Sequence, residues 1–190
     1  MNNKRKKYYK DFFKFVLYLG LVVITVSCFS VKPGSTKTAK HLYEEFFVGE
    51  EGTQYFIKPL AFKGEDNNEY LEMDFTFRYK KVLKDTDSAS INISLITQNI
   101  TKTVDSLLIG NGKTTIKIKN LDFLFTDRKK DLFLGRFNSK ISLVDLDTLF
   151  KNSEWNLTLY NSNTSILKFS SESSTKKNVE KINYELFGTF

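Results

Sequence analysis

The sequence predicts an all-β protein, an antiparallel β-sandwich preceded by an N-terminal apolar signal or anchor segment. Three observations lead there. From Thr53 onward apolar and polar residues alternate in short runs, clusters of turn-forming residues separate those runs, and the 190-residue chain holds 18 phenylalanines. Alternation gives a strand one oily and one wet face, because successive side chains point to opposite sides. Half-buried strands of this kind belong to antiparallel sheets, whereas parallel strands, covered on both faces, read as continuous apolar runs. Large rings fill the gap of roughly 10 Å between packed sheets well, so the phenylalanines are expected in the core.

Along the chain, residues 1–27 come first, as a signal segment. Lys4, Arg5, Lys6, Lys7, Lys10 and Lys14 precede an apolar stretch, 15–31, without a charge. Positive charge ahead of such a stretch holds the N-terminus at the acidic inner leaflet while the apolar segment enters the bilayer. The signal also carries most of the basicity: of the formal +7, residues 1–27 hold +5, which leaves +2 for the remainder. The basic balance therefore does not point to a nucleic-acid partner.

The segment Ile24-Thr25-Val26-Ser27-Cys28 resembles the lipobox of bacterial lipoproteins. In that family small residues precede a cysteine that is acylated and becomes the mature N-terminus. Ser27 matches the small residue, Val26 fits the position before it, and Thr25 stands where the family usually has leucine. The resemblance implies lipidation at Cys28 and a membrane-anchored place in the bacterial cell envelope. No acidic residue occurs at 29–32, which by the same resemblance implies a periplasm-facing domain and not one on the cell surface. The resemblance covers the leader alone. Two alternatives stay open, ordinary signal-peptide cleavage and an uncleaved anchor. At ~1.5 Å per residue the stretch 15–31 makes a helix of roughly 25 Å, against a hydrocarbon core of about 30 Å. With a single cysteine the chain has no intramolecular disulfide.

Residues 28–40 follow as the lipidated cysteine and a polar tether, and 41–190 as a single β-rich domain. In 41–48, Leu42, Tyr43 and Phe46 share a face at helical spacing and Gly49 supplies a stop, which predicts a short helix. The clearest strand sets Leu71, Met73, Phe75, Phe77 and Tyr79 against Glu72, Asp74, Thr76 and Arg78. The same alternation recurs at Ile91, Ile93 and Leu95, at Ile116 and Ile118, and at Leu121, Phe123 and Phe125. It returns at Phe137, Ile141 and Leu143, and at Trp155, Leu157 and Leu159. Turn clusters lie at 64–68, 84–88, 110–112, 127–131 and 160–163, with Asn111-Gly112 suited to a tight hairpin. Residues 144–150 read as a helical turn with Leu146, Leu149 and Phe150 inward. Residues 182–190 alternate again and predict a last strand.

Few residues carry chemistry. His41, the one histidine, lies near the tether, and no Gly-x-Ser-x-Gly elbow is present, so a Ser-His-Asp site has no support. His/Cys metal sites fail on ligand count, Gly110-Asn111-Gly112 lacks the spacing of a phosphate loop, and no cofactor is expected. What remains are the carboxylate pairs Glu65/Asp66, Glu72/Asp74 and Asp145/Asp147, which suit glycosidase or calcium chemistry when they converge and are otherwise solvated. Tyr70, Tyr160 and Phe187 are the aromatics expected on the wet face, where a glycan would stack.

The expected function is a lipid-anchored cell-envelope protein acting as a non-catalytic binding, adhesion or assembly module. Its partners would be the membrane, through the N-terminal lipid or apolar segment, and an envelope protein or glycan. The alternatives are a carboxylate-dependent envelope hydrolase and a small outer-membrane β-barrel, the latter favoured by the alternating C-terminus that ends on Phe190. A concave pocket of Asp, Glu and Tyr would favour the enzyme. A long uncovered sheet edge or an exposed aromatic patch would favour the module.

Overall fold

Among the described residues the alternation seen in the sequence is realised as ten strands, with one α-helix between the eighth and ninth and a second after the tenth. They are β1 (Tyr43–Phe47), β2 (Thr53–Gly64), β3 (Tyr70–Tyr79), β4 (Ser88–Thr97), β5 (Ser106–Gly110), β6 (Thr115–Lys119), β7 (Asp122–Lys129) and β8 (Leu132–Ser142), then α1 (Leu143–Phe150), β9 (Asn156–Asn161), β10 (Thr164–Ser171) and α2 (Ser173–Glu185). The structure, a computed structural model, describes residues 42–66, 68–80, 87–161 and 164–189, all within the unit Thr36–Phe190. Cys28, the lipobox-like segment, the tether and His41 lie outside the described residues, as do 84–86 of one expected turn.

All ten strands join one antiparallel sheet in the order β6-β5-β9-β10-β2-β3-β4-β8-β7, with β1 paired to β2 off this path. The antiparallel β class expected from alternation is therefore present. In place of two separately bonded sheets there is one continuous sheet, and it curls. β2 makes part of the curl. Its first half pairs with β1, from Thr53↔Phe47 to Ile57↔Tyr43, while its last residues, Phe62 to Gly64, pair with β10. Between them the register against β3 shifts at Ile57/Leu60, where Pro59 has no N–H for the ladder. Such a bulge bends the strand and strengthens its twist. Toward the two ends of the order, Ser139 Oγ on β8, the last strand but one, donates to the Lys119 carbonyl at the end of β6 (2.9 Å). Asn120, with φ +57°, then turns the chain from β6 into β7.

The inner face holds the core. Phe75, Met73 and Leu71 of β3 and Ile91 and Ile93 of β4 are fully buried, together with Leu146 and Leu149 of α1 and Val179 and Ile182 of α2. Aromatic rings run through it in contact: Tyr55 on Phe77 (5.3 Å between centroids), Phe77 on Phe187 (5.8 Å), Phe187 on Phe150 (4.7 Å) and Phe150 on Trp155 (5.1 Å). Trp155 pays for its burial with hydrogen bonds: the indole N–H donates to the carbonyls of Leu149 (3.1 Å) and Asn152 (2.7 Å), where α1 ends. Buried Asn111, in the β5–β6 turn, donates to the Thr148 and Leu149 carbonyls (3.0 and 3.1 Å) and accepts from the N–H groups of Lys113 and Thr114. Only Gly112 of the Asn111-Gly112 pair has a positive φ, +82°; Asn111 links the hairpin to α1.

Two expected elements differ. Residues 43–47 form strand β1 and not a helix: Tyr43 turns toward Tyr55 (6.3 Å) and Phe46 meets Phe56 on the opposite face (5.6 Å). The first half of β2 supplies a ladder partner that a local helical spacing does not anticipate. Of the last strand expected at 182–190, the described residues, 182–189, instead hold the end of α2 and a 3-10 turn at Phe187–Thr189, and 190 lies outside the described residues. Thr175, Val179 and Ile182 fall at i, i+4 and i+7 and are buried on one stripe. The helical turn expected at 144–150 is present as α1, with Leu146, Leu149 and Phe150 buried.

Candidate functional site

Among the surfaces of the described residues, a polar cleft and an uncovered edge stand out as candidate sites. The cleft, of about 720 Å³, lies where the β2–β3 turn meets the segment between β4 and β5 and the adjoining parts of β9 and β10. Asp66, Asn68, Glu69, Asn99, Lys102 and Asn161 supply its charged and amide groups. The turn is tight: Gly64 N–H donates to the Glu69 carbonyl (2.8 Å) and Glu69 N–H to the Asp66 carbonyl (3.1 Å). A Cβ on Gly64 would fall 2.6 Å from that of Glu69, so glycine is what lets the two strands close here. On the opposite wall Thr97 Oγ1 donates to the Asn99 carbonyl (2.6 Å), and Asn161 Nδ2 donates to Thr103 Oγ1 (3.0 Å). Partial burial raises the pKa of Glu69 above the ordinary glutamate value, and the charges of Asp66 and Glu65 push it the same way. Ligand pockets are mostly apolar with few polar groups; this one is dominated by amides, hydroxyls and carboxylates, a lining that matches a hydroxyl- or amine-bearing ligand.

Of the carboxylates singled out in the sequence, only Asp66 lines the cleft, and its neighbour there is Glu69, which the sequence reading passed over. The signal was available as an i, i+3 pair across a tight turn. Glu65 stands 3.9 Å from Lys168. Glu72 pairs with Lys129 (3.3 Å) and Asp74 with Arg136 (2.5 Å), so both are tied to neighbours on the outer face of the sheet instead of standing free in solvent. Asp147 pairs with Lys151 (2.7 Å), and the backbone N–H of Asp145 is capped by Ser142 Oγ (3.0 Å) at the start of α1. Among the described residues no group of three or more His, Cys, Asp or Glu is placed to hold a metal ion. Of the three aromatics expected on the wet face, Tyr70 is exposed, Tyr160 is half-buried with Lys117 Nζ 5.9 Å from its ring, and Phe187 is buried between Phe77 and Phe150. Phe187 is thus a core residue, placed inward by the helix that replaces the expected strand.

The edge is β7. All of its eight residues are exposed, and among the described residues only β8 pairs with it. Phe123, Leu124 and Phe125 are 38, 51 and 51% exposed. The register against β8 shifts between Phe123 and Phe125, which leaves Leu124 as the extra residue of a bulge. Phe123 keeps one contact with the core, edge-on to Phe137 at 5.6 Å. Natural sheets guard their edges with charge, proline or short strands. Here charge stands at the start, Asp122, and at the end, Asp127, Arg128 and Lys129, while Phe123, Leu124 and Phe125 between them stay apolar.

In comparisons with known proteins the chain matches no family, no curated protein and no solved structure. Among the described residues no helix is long and apolar enough to cross a membrane.

Proposed function

We propose that this chain is a lipid-anchored module of the bacterial cell envelope that works by binding or assembly, holding an extended segment of an envelope partner along β7. The observation that carries this reading is the exposed β7, with Phe123, Leu124 and Phe125 on a strand whose second edge meets no other strand among the described residues. A strand laid there gains main-chain hydrogen bonds and covers the three apolar side chains, the logic of recognition by strand addition. Acylation of Cys28, membrane anchoring and a periplasm-facing domain rest on the leader. In this reading the two arms of the curled sheet act as the layers of a sandwich over one shared core.

The outer face of the sheet favours the module over a membrane barrel. Asp74, Asn92, Arg136 and Asn138 are hydrogen-bonded to one another there, where a barrel would present apolar side chains to lipid. A second reading, a carboxylate-dependent hydrolase acting on envelope glycan, draws on Asp66 and Glu69 in the cleft, with Glu69 kept protonated more readily than an ordinary glutamate. In that case Glu69→Gln abolishes turnover of the glycan while leaving partner capture at β7 intact.

A photo-crosslinking residue at position 124 of the full chain, expressed in its host envelope, tests strand addition. The reading expects a discrete adduct of higher mass than the monomer, lost when Phe125→Lys places a charge on the edge. The absence of an adduct, or one that persists unchanged with Phe125→Lys, overturns it.

A further inference from the structure

One exposed apolar tip, at the end of the β1–β2 hairpin, is used neither by the cleft nor by β7. Phe46, Phe47 and Val48, at the end of β1, and Phe56 on β2 are 41, 81, 38 and 40% exposed. Tyr55 and Ile57 turn inward on β2, so Phe46 and Phe56 meet edge to face on the outer side, 5.6 Å apart. The tip that carries them is held firmly. A 3-10 turn at Gly49–Glu51 returns the chain, Val48 N–H donates to the Gly52 carbonyl (2.8 Å), and Glu51 pairs with Arg78 of β3. Gly52 has φ +93°, and a Cβ there would lie 2.2 Å from the Tyr79 carbonyl oxygen, so only glycine closes this turn.

Apolar patches kept exposed by a fixed scaffold mark contact surfaces, and the chain itself says which surface is nearest. β1 begins at Tyr43, just after the tether. The stretch from Cys28 to Lys40 is short enough that its contour cannot exceed ~45 Å. A membrane holding the leader therefore meets β1 at a high effective concentration, and even a weak second contact is populated. Glu44 is paired to Lys58 (3.2 Å) and Glu51 to Arg78, and exposed Glu45 and Glu50 add further negative charge around the tip, so acidic headgroups offer it no attraction. The tip and the cleft also sit toward opposite ends of β2, a strand of 12 residues, which at ~3.3 Å per residue and with its bend separates them by at most about 35 Å.

We propose that Phe46, Phe47, Val48 and Phe56 form a lipid-contacting tip that seats the domain on the bilayer to which its N-terminus is tied and turns the cleft away from it. The inference rests on the membrane-anchored reading. Insertion of rings at the interface is driven by apolar burial, so it operates on neutral phosphatidylcholine and is insensitive to salt.

The test uses the full chain with its own anchor, reconstituted into phosphatidylcholine vesicles containing brominated acyl chains. Phe47→Trp reports on the tip and Ile100→Trp, at a half-exposed position lining the cleft, on the opposite end; buried Trp155 is a background common to both. The expected result is several-fold stronger quenching for Phe47→Trp than for Ile100→Trp, with Ile100→Trp no different from the parent. Vesicle-bound protein in which Phe47→Trp is quenched no more than Ile100→Trp overturns the tip while leaving the anchor standing. Protein that does not float with the vesicles overturns the anchor, and the tip with it.

Discussion

Asp74 of β3 and Arg136 of β8 form an ion pair of 2.5 Å across the intervening strand β4. Each side chain is about a fifth exposed, and the pair is embedded in amides: Asn92 Nδ2 donates to Asp74 Oδ1 (2.7 Å), Asn138 Nδ2 donates to Asn92 Oδ1 (2.8 Å), and Arg136 also donates to Ser94. The outer face is thus cross-linked over three neighbouring strands. Hydrogen bonds to charged groups contribute about 1.5–3 kcal/mol, more than the ~0–1 kcal/mol of an isolated surface pair.

The first prediction follows from that geometry. Asp74→Ala and Arg136→Ala each destabilise the fold, and a double-mutant cycle by urea unfolding gives a coupling energy of about 0.5–3 kcal/mol. Strictly additive effects would mean that the two side chains do not act on each other in solution.

The register of β3 makes a second prediction. Phe75 is fully buried, in edge contact with Phe150 (5.9 Å) and Trp155 (6.3 Å), so Phe75→Ala costs about 3–5 kcal/mol. Thr76 faces outward, half-buried, opposite Ser90, and Thr76→Val stays within roughly ±0.5 kcal/mol. Because a slip of one residue exchanges the two faces, a large cost at Thr76 with tolerance at Phe75 would refute the register.

Glu69 gives a pH-dependent prediction. Its folded-state pKa is raised by burial and by Asp66 and Glu65. Below the ordinary glutamate pKa both folded and unfolded chains hold the proton and nothing is lost. As pH rises through the folded value the carboxylate ionises in an unfavourable place, and stability falls. Glu69→Gln removes this loss, so its urea midpoint matches that of the parent in acid and exceeds it near neutrality. A parent that gains on the variant as pH rises would show that Glu69 is stabilised as an anion.

Strand structure was legible wherever one face meets the core and the other meets water, as along β3, because burial there repeats every second residue. Helix α1 was legible for the matching reason, with Leu146, Leu149 and Phe150 spaced for one helical face. β1 was misread because Leu42 and Phe46 have helical spacing, whereas its conformation is set by pairing with β2, a partner distant from any local window. The last segment was misread because Ile182, Tyr184 and Leu186 alternate, although Thr175, Val179 and Ile182 already mark a helical stripe. The cleft was only half visible. Asp66 stood out as part of a sequence pair, but what brings it beside Asn99, Lys102 and Asn161 is the strand order, which sets the ends of β4, β9 and β10 next to the β2–β3 turn. The apolar half of β7 read as one more half-buried strand, since its place at the end of the strand order is a property of topology and not of its own residues.

The most direct test of the account is labelling with palmitate in the native host, comparing the parent chain with Cys28→Ser. A lipid-anchored envelope module predicts labelled, membrane-bound parent protein of reduced mass and an unlabelled Cys28→Ser precursor that keeps residues 1–27. Equal labelling of the two chains, or no label on either, would contradict it.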